Sequence, residues 1–386
     1  MRVAWLFEYP TLHGGERSLL AAWPALKAAG IRATALAPAR GPLNAALIRE
    51  GIEVVPFETH VAAENVAAEY SAAQRRPALG ELRDRLAAAL LALRPEVLHA
   101  NSLAMGRLSG PVATNIGLPS LAHLRDIIKL SRAVIADLNC HMRLLAVSRA
   151  TREFHVSRGL LADKVRVLYN GVDLGQFQPQ PPTGWLNRQL GLPFDSVLIG
   201  TIGQLVMRKG HDVLARAAGR LARTHQDVHW IIAGSRHSQK AEAVEYEAGL
   251  CRSFIAAGLA DHVHFVGELD GVHALLPELT LLVHPARQEP LGRVLLEAAA
   301  TGVPCVATDV GGTREIFPPE ANAARLVPGG DECALADAIA QLLADAAERS
   351  RLGQAARRRA EEAFDVRAAA AGLLEVYVAL RRVKTE

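Results

Sequence analysis

The sequence predicts an α/β fold made of two doubly wound domains, each a parallel sheet covered by helices. Three observations carry this. Short β-rich runs alternate with longer helical patterns, the signature of strand–helix–strand crossovers. The alternation stops at a Pro- and Gln-rich stretch and then restarts. The length, 386 residues, exceeds that of one ordinary domain. Half of the residues are hydrophobic and only 5% are aromatic, which favours helices packed on sheets over an all-β shell.

Taken in order, the first half offers strands at 3–7, 33–37, 53–57, 97–99, 120–123, 144–147 and 165–168, with helices at 18–29, 42–50 and 79–93. The apolar run that opens the chain stops at Glu8, too short for export or for spanning a bilayer, so it reads as a buried first strand. The stretch Phe177-Gln178-Pro179-Gln180-Pro181-Pro182 marks a linker near 178–188. The second half places strands at 197–202, 229–233, 263–266, 281–284 and 304–308. The final helix, 365–382, carries an apolar stripe of Leu373, Leu374, Val376, Tyr377 and Leu380. Open sheets of this kind bind ligands at their carboxyl strand ends, so a cleft between the domains is where a site is expected.

Several function classes recede. A net charge of +3 does not argue for nucleic acid, and there is no zinc-finger spacing or aromatic–basic repeat. Cys140, Cys251, Cys305 and Cys333 are scattered with no Cys-x-x-Cys pair, which fits reduced thiols in a cytoplasmic protein. There is no Asp-x-Asp, no Gly-x-Gly-x-x-Gly and no phosphate-loop Gly-Lys-Ser/Thr.

The most specific segment is His284-Pro285-Ala286-Arg287-Gln288-Glu289-Pro290-Leu291-Gly292-Arg293-Val294-Leu295-Leu296-Glu297. A strand ends at His284, a loop carries Glu289, and a helix runs from near Gly292 to Gly302, where glycine caps it and Pro304 follows. Its free N–H groups suit an anion or sugar hydroxyls. Glu289 and Glu297 do not suit a retaining hydrolase. Eight helical steps advance roughly 12 Å, against the about 5–5.5 Å such a carboxyl pair needs. Two acids along one elongated ligand fit better, Glu297 on a ribose diol and Glu289 on a hexose. The alternative is that Glu297 is a solvated helix residue and Glu289 an N-terminal helix acid.

This segment, continued through Ala299-Ala300-Thr301-Gly302-Val303-Pro304 to Gly311-Gly312-Thr313-Arg314-Glu315, resembles the donor-site core of glycosyltransferase family 4. Four further segments match that family in order: Gly14-Gly15-Glu16-Arg17, Ala146-Val147-Ser148, Tyr169-Asn170-Gly171-Val172-Asp173, and Gly203-Gln204-Leu205-Val206-Met207-Arg208-Lys209-Gly210. The likeness spans nearly the whole chain. It implies the GT-B fold: two Rossmann-like domains facing a central cleft, with the last helix crossing back onto the first. The expected bounds are 1–180 plus about 366–386 for an acceptor-binding domain, and 189–365 for a nucleotide-sugar-binding domain.

The resemblance also implies roles. Lys209 contacts the donor diphosphate, where a preplaced cation stabilises the departing charge. Gly203, Leu291, Gly292, Arg293 and Val266 belong with Glu297 on the donor side, and Glu289, Lys209 and His123 are the catalytic candidates. The family usually has Arg where this chain has Gln204, which can donate only neutral hydrogen bonds; Arg208 is the neighbouring cation placed to substitute. Gly14 and Gly15 form a loop before a helix near Ser18 that faces acceptor or phosphate. Asn101 and Ser102 face the same side, Glu315 matches a family acid, and Arg125 is expected to pair locally with Asp126. The arginines Arg143, Arg149, Arg152 and Arg158 allow peripheral docking at the inner membrane face, or simply line a solvated surface.

The expected activity is metal-independent, retaining transfer of a hexosyl group from a UDP- or GDP-sugar to a glycan, lipid-linked or small-molecule acceptor, with no cofactor and no nucleic-acid partner. A nucleotide-sugar 2-epimerase and a non-catalytic sugar-nucleotide binder are the alternatives. Alanine at Glu289 or Lys209 is expected to abolish transfer and leave the fold intact.

Overall fold

The computed structural model describes residues 1–59, 78–269 and 271–383. They form two compact units, residues 1–171 together with the helix that starts at Val366, and residues 172–365.

The first unit holds β1 (Arg2–Leu6), β2 (Arg32–Ala37), β3 (Glu53–Pro56), β4 (Val97–Ala100), β5 (Ser120–Leu124), β6 (Arg143–Ala146) and β7 (Val165–Val167). All pair in parallel, in the order β3-β2-β1-β4-β5-β6-β7. Val3, Ala4, Trp5 and Leu6 are all buried. A strand can be apolar on both sides only where helices cover both faces, as in parallel sheets. One face packs Trp5, Leu121 and Leu145 against Leu19 and Trp23 of helix Gly14–Ala28 and Leu373 and Tyr377 of helix Val366–Val383. The other packs Leu6, Leu98 and Leu144 against Leu86 of helix Leu79–Leu93 and Leu108 of helix Leu103–Asn115. The last helix thus belongs to the first unit, as the family resemblance implies.

The second unit holds β8 (Val197–Ile202), β9 (Val228–Ala233), β10 (Val263–Gly267), β11 (Leu281–His284), β12 (Cys305–Thr308) and β13 (Arg325–Val327). Their order is β10-β9-β8-β11-β12-β13, again all parallel. Its core gathers Trp230, Ile232, Leu281 and Val283 against Val213, Leu214, Phe254 and Ile339 from the covering helices. The second unit begins at Val172, ahead of the stretch read as a linker. That stretch is tied down locally: the buried Glu278 carboxylate accepts from Thr183 N–H at 2.7 Å, Thr183 hydroxyl at 2.8 Å and Gly184 N–H at 2.8 Å.

In each unit the first strand lies between the second and the fourth, so the winding reverses there. Beyond the carboxyl ends of those two strands the crossover helices diverge and leave a crevice. In the first unit the reversal separates β1 from β4; in the second it separates β8 from β11.

Candidate functional site

In the second unit the loops that leave β8 and β11 meet at this reversal. Their main chains are joined: Arg287 N–H and Gln288 N–H both donate to the Arg208 carbonyl, at 2.8 and 3.3 Å. Gly210 makes the approach possible. Its φ is +70°, and a Cβ there would lie 1.9 Å from the Pro285 carbonyl oxygen, a contact no other residue tolerates. Lys209, in the 3₁₀ turn Met207–Lys209, is thereby set against Glu289.

Lys209 Nζ donates to Glu289 Oε2 at 2.5 Å, and His284 Nε2 donates to the same oxygen at 2.8 Å. The Glu289 carbonyl accepts from Gly312 N–H at 2.9 Å. Burial alone would raise the Glu289 carboxyl, but the Lys209 charge and the His284 hydrogen bond outweigh it and hold it well below the usual carboxylate range. Burial keeps the His284 imidazole below its ordinary value despite the carboxylate beside it. His211, next in chain after Gly210, is lowered to about 3 by burial and by the nearby His284 and Lys209.

Helix Arg293–Thr301 begins four residues after Glu289, so Glu289 is a loop residue rather than a first-turn helix acid. Glu297 is 6% exposed, which rules out the solvated alternative, and its Oε1 accepts from Arg293 Nε at 2.6 Å. Leu291 is buried, and Gly292 caps the helix at φ +102°. Gly203 passes over the Lys209 stem, Gln204 is half-buried and Arg208 exposed. Val266 lies away from this group, inside the edge strand β10 at a break in its pairing register, with β9 and β8 between it and β11. In the sequence His284 stands only as a strand end, and nothing in its spacing marks it as a partner of Glu289.

In the first unit Gly14 and Gly15 are not a loop before a helix at Ser18; they open helix Gly14–Ala28. The glycines signal a break, but Gly15 is there for close approach, since a Cβ would come 2.9 Å from Arg125 Cδ. Arg125 Nη2 donates to Asn101 Oδ1 and Arg125 Nη1 to Asn170 Oδ1, each at 2.9 Å. These bonds stand where a local pair with Asp126 was expected. Asn101 is buried, and its Nδ2 has no hydrogen-bond partner among the described residues. His123 Nδ1 lies 2.7 Å from His99 Nε2, and His99 Nδ1 lies 2.6 Å from the Tyr377 hydroxyl. Burial and then the Arg125 charge hold both imidazoles well below their ordinary values. His99 and Tyr377 were missed as site residues because only strand pairing and the return of the last helix bring them to His123. Three of the four arginines considered for membrane docking donate to backbone carbonyls: Arg143 to Asp163 at 3.3 Å, Arg152 to Val165 at 3.1 Å and Arg158 to Phe154 at 3.0 Å.

Two parallel, doubly wound units with a candidate site at each reversal define an α/β protein of the GT-B type. The solved structure of Anabaena HepE in complex with UDP-glucose superposes with a TM-score of 0.84 at 22% identity, covering 98% of this chain and 100% of that one. WaaG, a glycosyltransferase involved in lipopolysaccharide biosynthesis, superposes at 0.73 and 17% identity over 97% and 99%. The chain belongs to glycosyltransferase family 4: residues 12–176 match the family model described as Glycosyltransferase Family 4, and residues 186–359 the one described as Glycosyl transferases group 1. It is 28% identical to a GDP-mannose-dependent alpha-mannosyltransferase of Mycolicibacterium smegmatis, over 93% of this chain and 92% of the relative. A D-inositol 3-phosphate glycosyltransferase of Xylanimonas cellulosilytica is 35% identical over 56% of this chain, which spans only 51% of that relative's length. Among the described residues no helix is long and apolar enough to cross a membrane.

Proposed function

We propose that the chain is a retaining glycosyltransferase that moves a hexosyl group from a UDP- or GDP-sugar to a glycan, lipid-linked or small-molecule acceptor on the cytoplasmic side, without a metal. The observation that carries this reading is the Lys209–Glu289–His284 cluster at the reversal of the second sheet. An ammonium has three donors. One is committed to Glu289, and the others are available to the diphosphate as its charge develops. Glu289 is held ionised, so it has no proton to give as a general acid. It acts instead through its charge, favouring an oxocarbenium-like hexose. Its bonds to Lys209 and His284 weaken it as a nucleophile, which supports same-face attack with the leaving phosphate as base. The buried Glu297 takes the ribose, and the acceptor is assigned to the first unit, around His123 and Asn101. The GDP-mannose in one relative's name and the UDP-glucose in a neighbour's crystal are reasons to test both bases.

The test is nucleotide release from UDP- and GDP-sugars with an acceptor panel, in the presence of a chelator, with the product anomer read by NMR. Transfer with unchanged anomeric configuration is expected, and Glu289→Gln should lower kcat on the order of 10²–10³-fold. An inverted product, dependence on a divalent ion, or full activity of the variant would each remove the corresponding part of the reading. Donor alone, followed by NMR, separates transfer from 2-epimerisation; tight nucleotide binding with no turnover would indicate a sensor. Co-sedimentation with anionic vesicles tests membrane contact.

A further inference from the structure

The pairing register puts Trp5 opposite His99, and His99 opposite Leu121, two residues before His123. Residues opposite each other, and residues two apart, share a face of a sheet. Trp5, His99 and His123 therefore line one face of the first sheet, the face that helix Val366–Val383 covers. Tyr377, fully buried on that helix, closes an unbroken line of hydrogen bonds. Trp5 Nε1 donates to Tyr377 Oη at 3.1 Å, Oη meets His99 Nδ1 at 2.6 Å, and His99 Nε2 meets His123 Nδ1 at 2.7 Å. His123 Nε2 has no hydrogen-bond partner among the described residues.

The direction of this line follows from its far end. An indole N–H donates and never accepts, so Tyr377 Oη accepts from Trp5 and must place its one hydrogen elsewhere. His99 Nδ1 is the remaining atom bonded to it. The reverse arrangement, with both neighbours donating to Oη, would bury an O–H with nothing to receive it, which folded proteins avoid. With Nδ1 accepting, a neutral His99 carries its proton on Nε2 and gives that bond to His123 Nδ1. A neutral His123 then carries its proton on Nε2.

We infer that Tyr377 and His99 are positioning residues that fix the tautomer of His123, so that its open nitrogen is a hydrogen-bond donor. The ligand atom it meets is then a lone-pair oxygen, of a hydroxyl or a phosphate, and His123 is not the base that deprotonates an acceptor hydroxyl. This functional consequence rests on the proposed role of His123; the tautomer itself does not.

The experiment is long-range ¹H–¹⁵N correlation on the full-length protein labelled at histidine nitrogen, at neutral pH, with His123 assigned by difference from His123→Gln. A protonated Nε2 and a bare Nδ1 on His123 are expected. Tyr377→Phe removes the hydroxyl hydrogen, and the His99 and His123 signals should then shift toward the Nδ1-protonated form. A wild-type His123 that carries its proton on Nδ1, or averages between forms, overturns the inference; so does a folded Tyr377→Phe variant with unchanged signals. If that variant does not fold, the wild-type spectrum decides alone. Should the spectrum agree while His123→Gln keeps full transfer, the tautomer control stands and the site role of His123 falls.

Discussion

Lys209 and Glu289 keep only 14% and 7% of their side-chain surface, so each charge relies on the other. Removing one partner of such a pair leaves an uncompensated buried charge and costs about 3–5 kcal/mol. Lys209→Ala is therefore expected to weaken the fold as well as stop turnover, which corrects the expectation from sequence that alanine here spares the structure. Combining Lys209→Met with Glu289→Gln removes both charges and should recover most of the stability but none of the activity. Urea unfolding of both single variants and the double measures this coupling. The buried histidines add a pH dependence. His99, His123, His141, His211 and His284 are all shifted downward by burial, His141 to about 4 and His211 to about 3. A depressed folded value means that the unfolded chain takes up protons first. The stability these rings contribute is complete above their unfolded value of about 6.5 and is lost as pH falls below it. The urea midpoint should drop steadily from pH 6.5 to 4; a level or rising midpoint over that range would contradict neutral burial.

At the scale of elements, the strand ends deliver the chemistry and the loops between them hold it. Replacing Gly210 with alanine asks a side chain to adopt φ +70° against a backbone carbonyl. It should cost on the order of 1–3 kcal/mol and cut turnover, with hydrogen exchange rising around β8 and β11 rather than in the first unit. These strands were legible because 197–202 and 281–284 are apolar runs bounded by turn residues. β13 was not: Arg325–Val327 is three residues long, two of them half-buried, on a sheet edge. Glu289 and Lys209 stood out by spacing and family likeness, whereas the bond between them depends on how two loops pack. The Trp5–Tyr377–His99–His123 line was invisible for the same reason. Each residue has an ordinary role in sequence, a strand end or an apolar stripe, and only register and the return of a distant helix make them neighbours.

At the scale of the whole molecule, the first unit is completed by residues from the other end of the chain. Ala370, Leu373, Val376, Tyr377 and Leu380 are all buried in its core. Burying a large apolar side chain contributes about 1.5–3 kcal/mol, so a stop codon after Asp365 should destabilise the first unit severely. Limited proteolysis should show β1 to β7 degraded while residues 172–365 survive as a resistant fragment. Resistance of both units would mean that the helix is dispensable to the fold.

That discontinuity sets an order of events at the ribosome. The second unit is contiguous and can acquire its native contacts as soon as it has emerged, whereas the first, although synthesised earlier, cannot. At 5–20 residues per second, translating the intervening segment takes roughly 10–40 s. Throughout that interval the sheet face around Trp5 lacks the part of its native cover that helix Val366–Val383 supplies, and the nascent polypeptide depends on chaperones, or on speed, to stay out of aggregates.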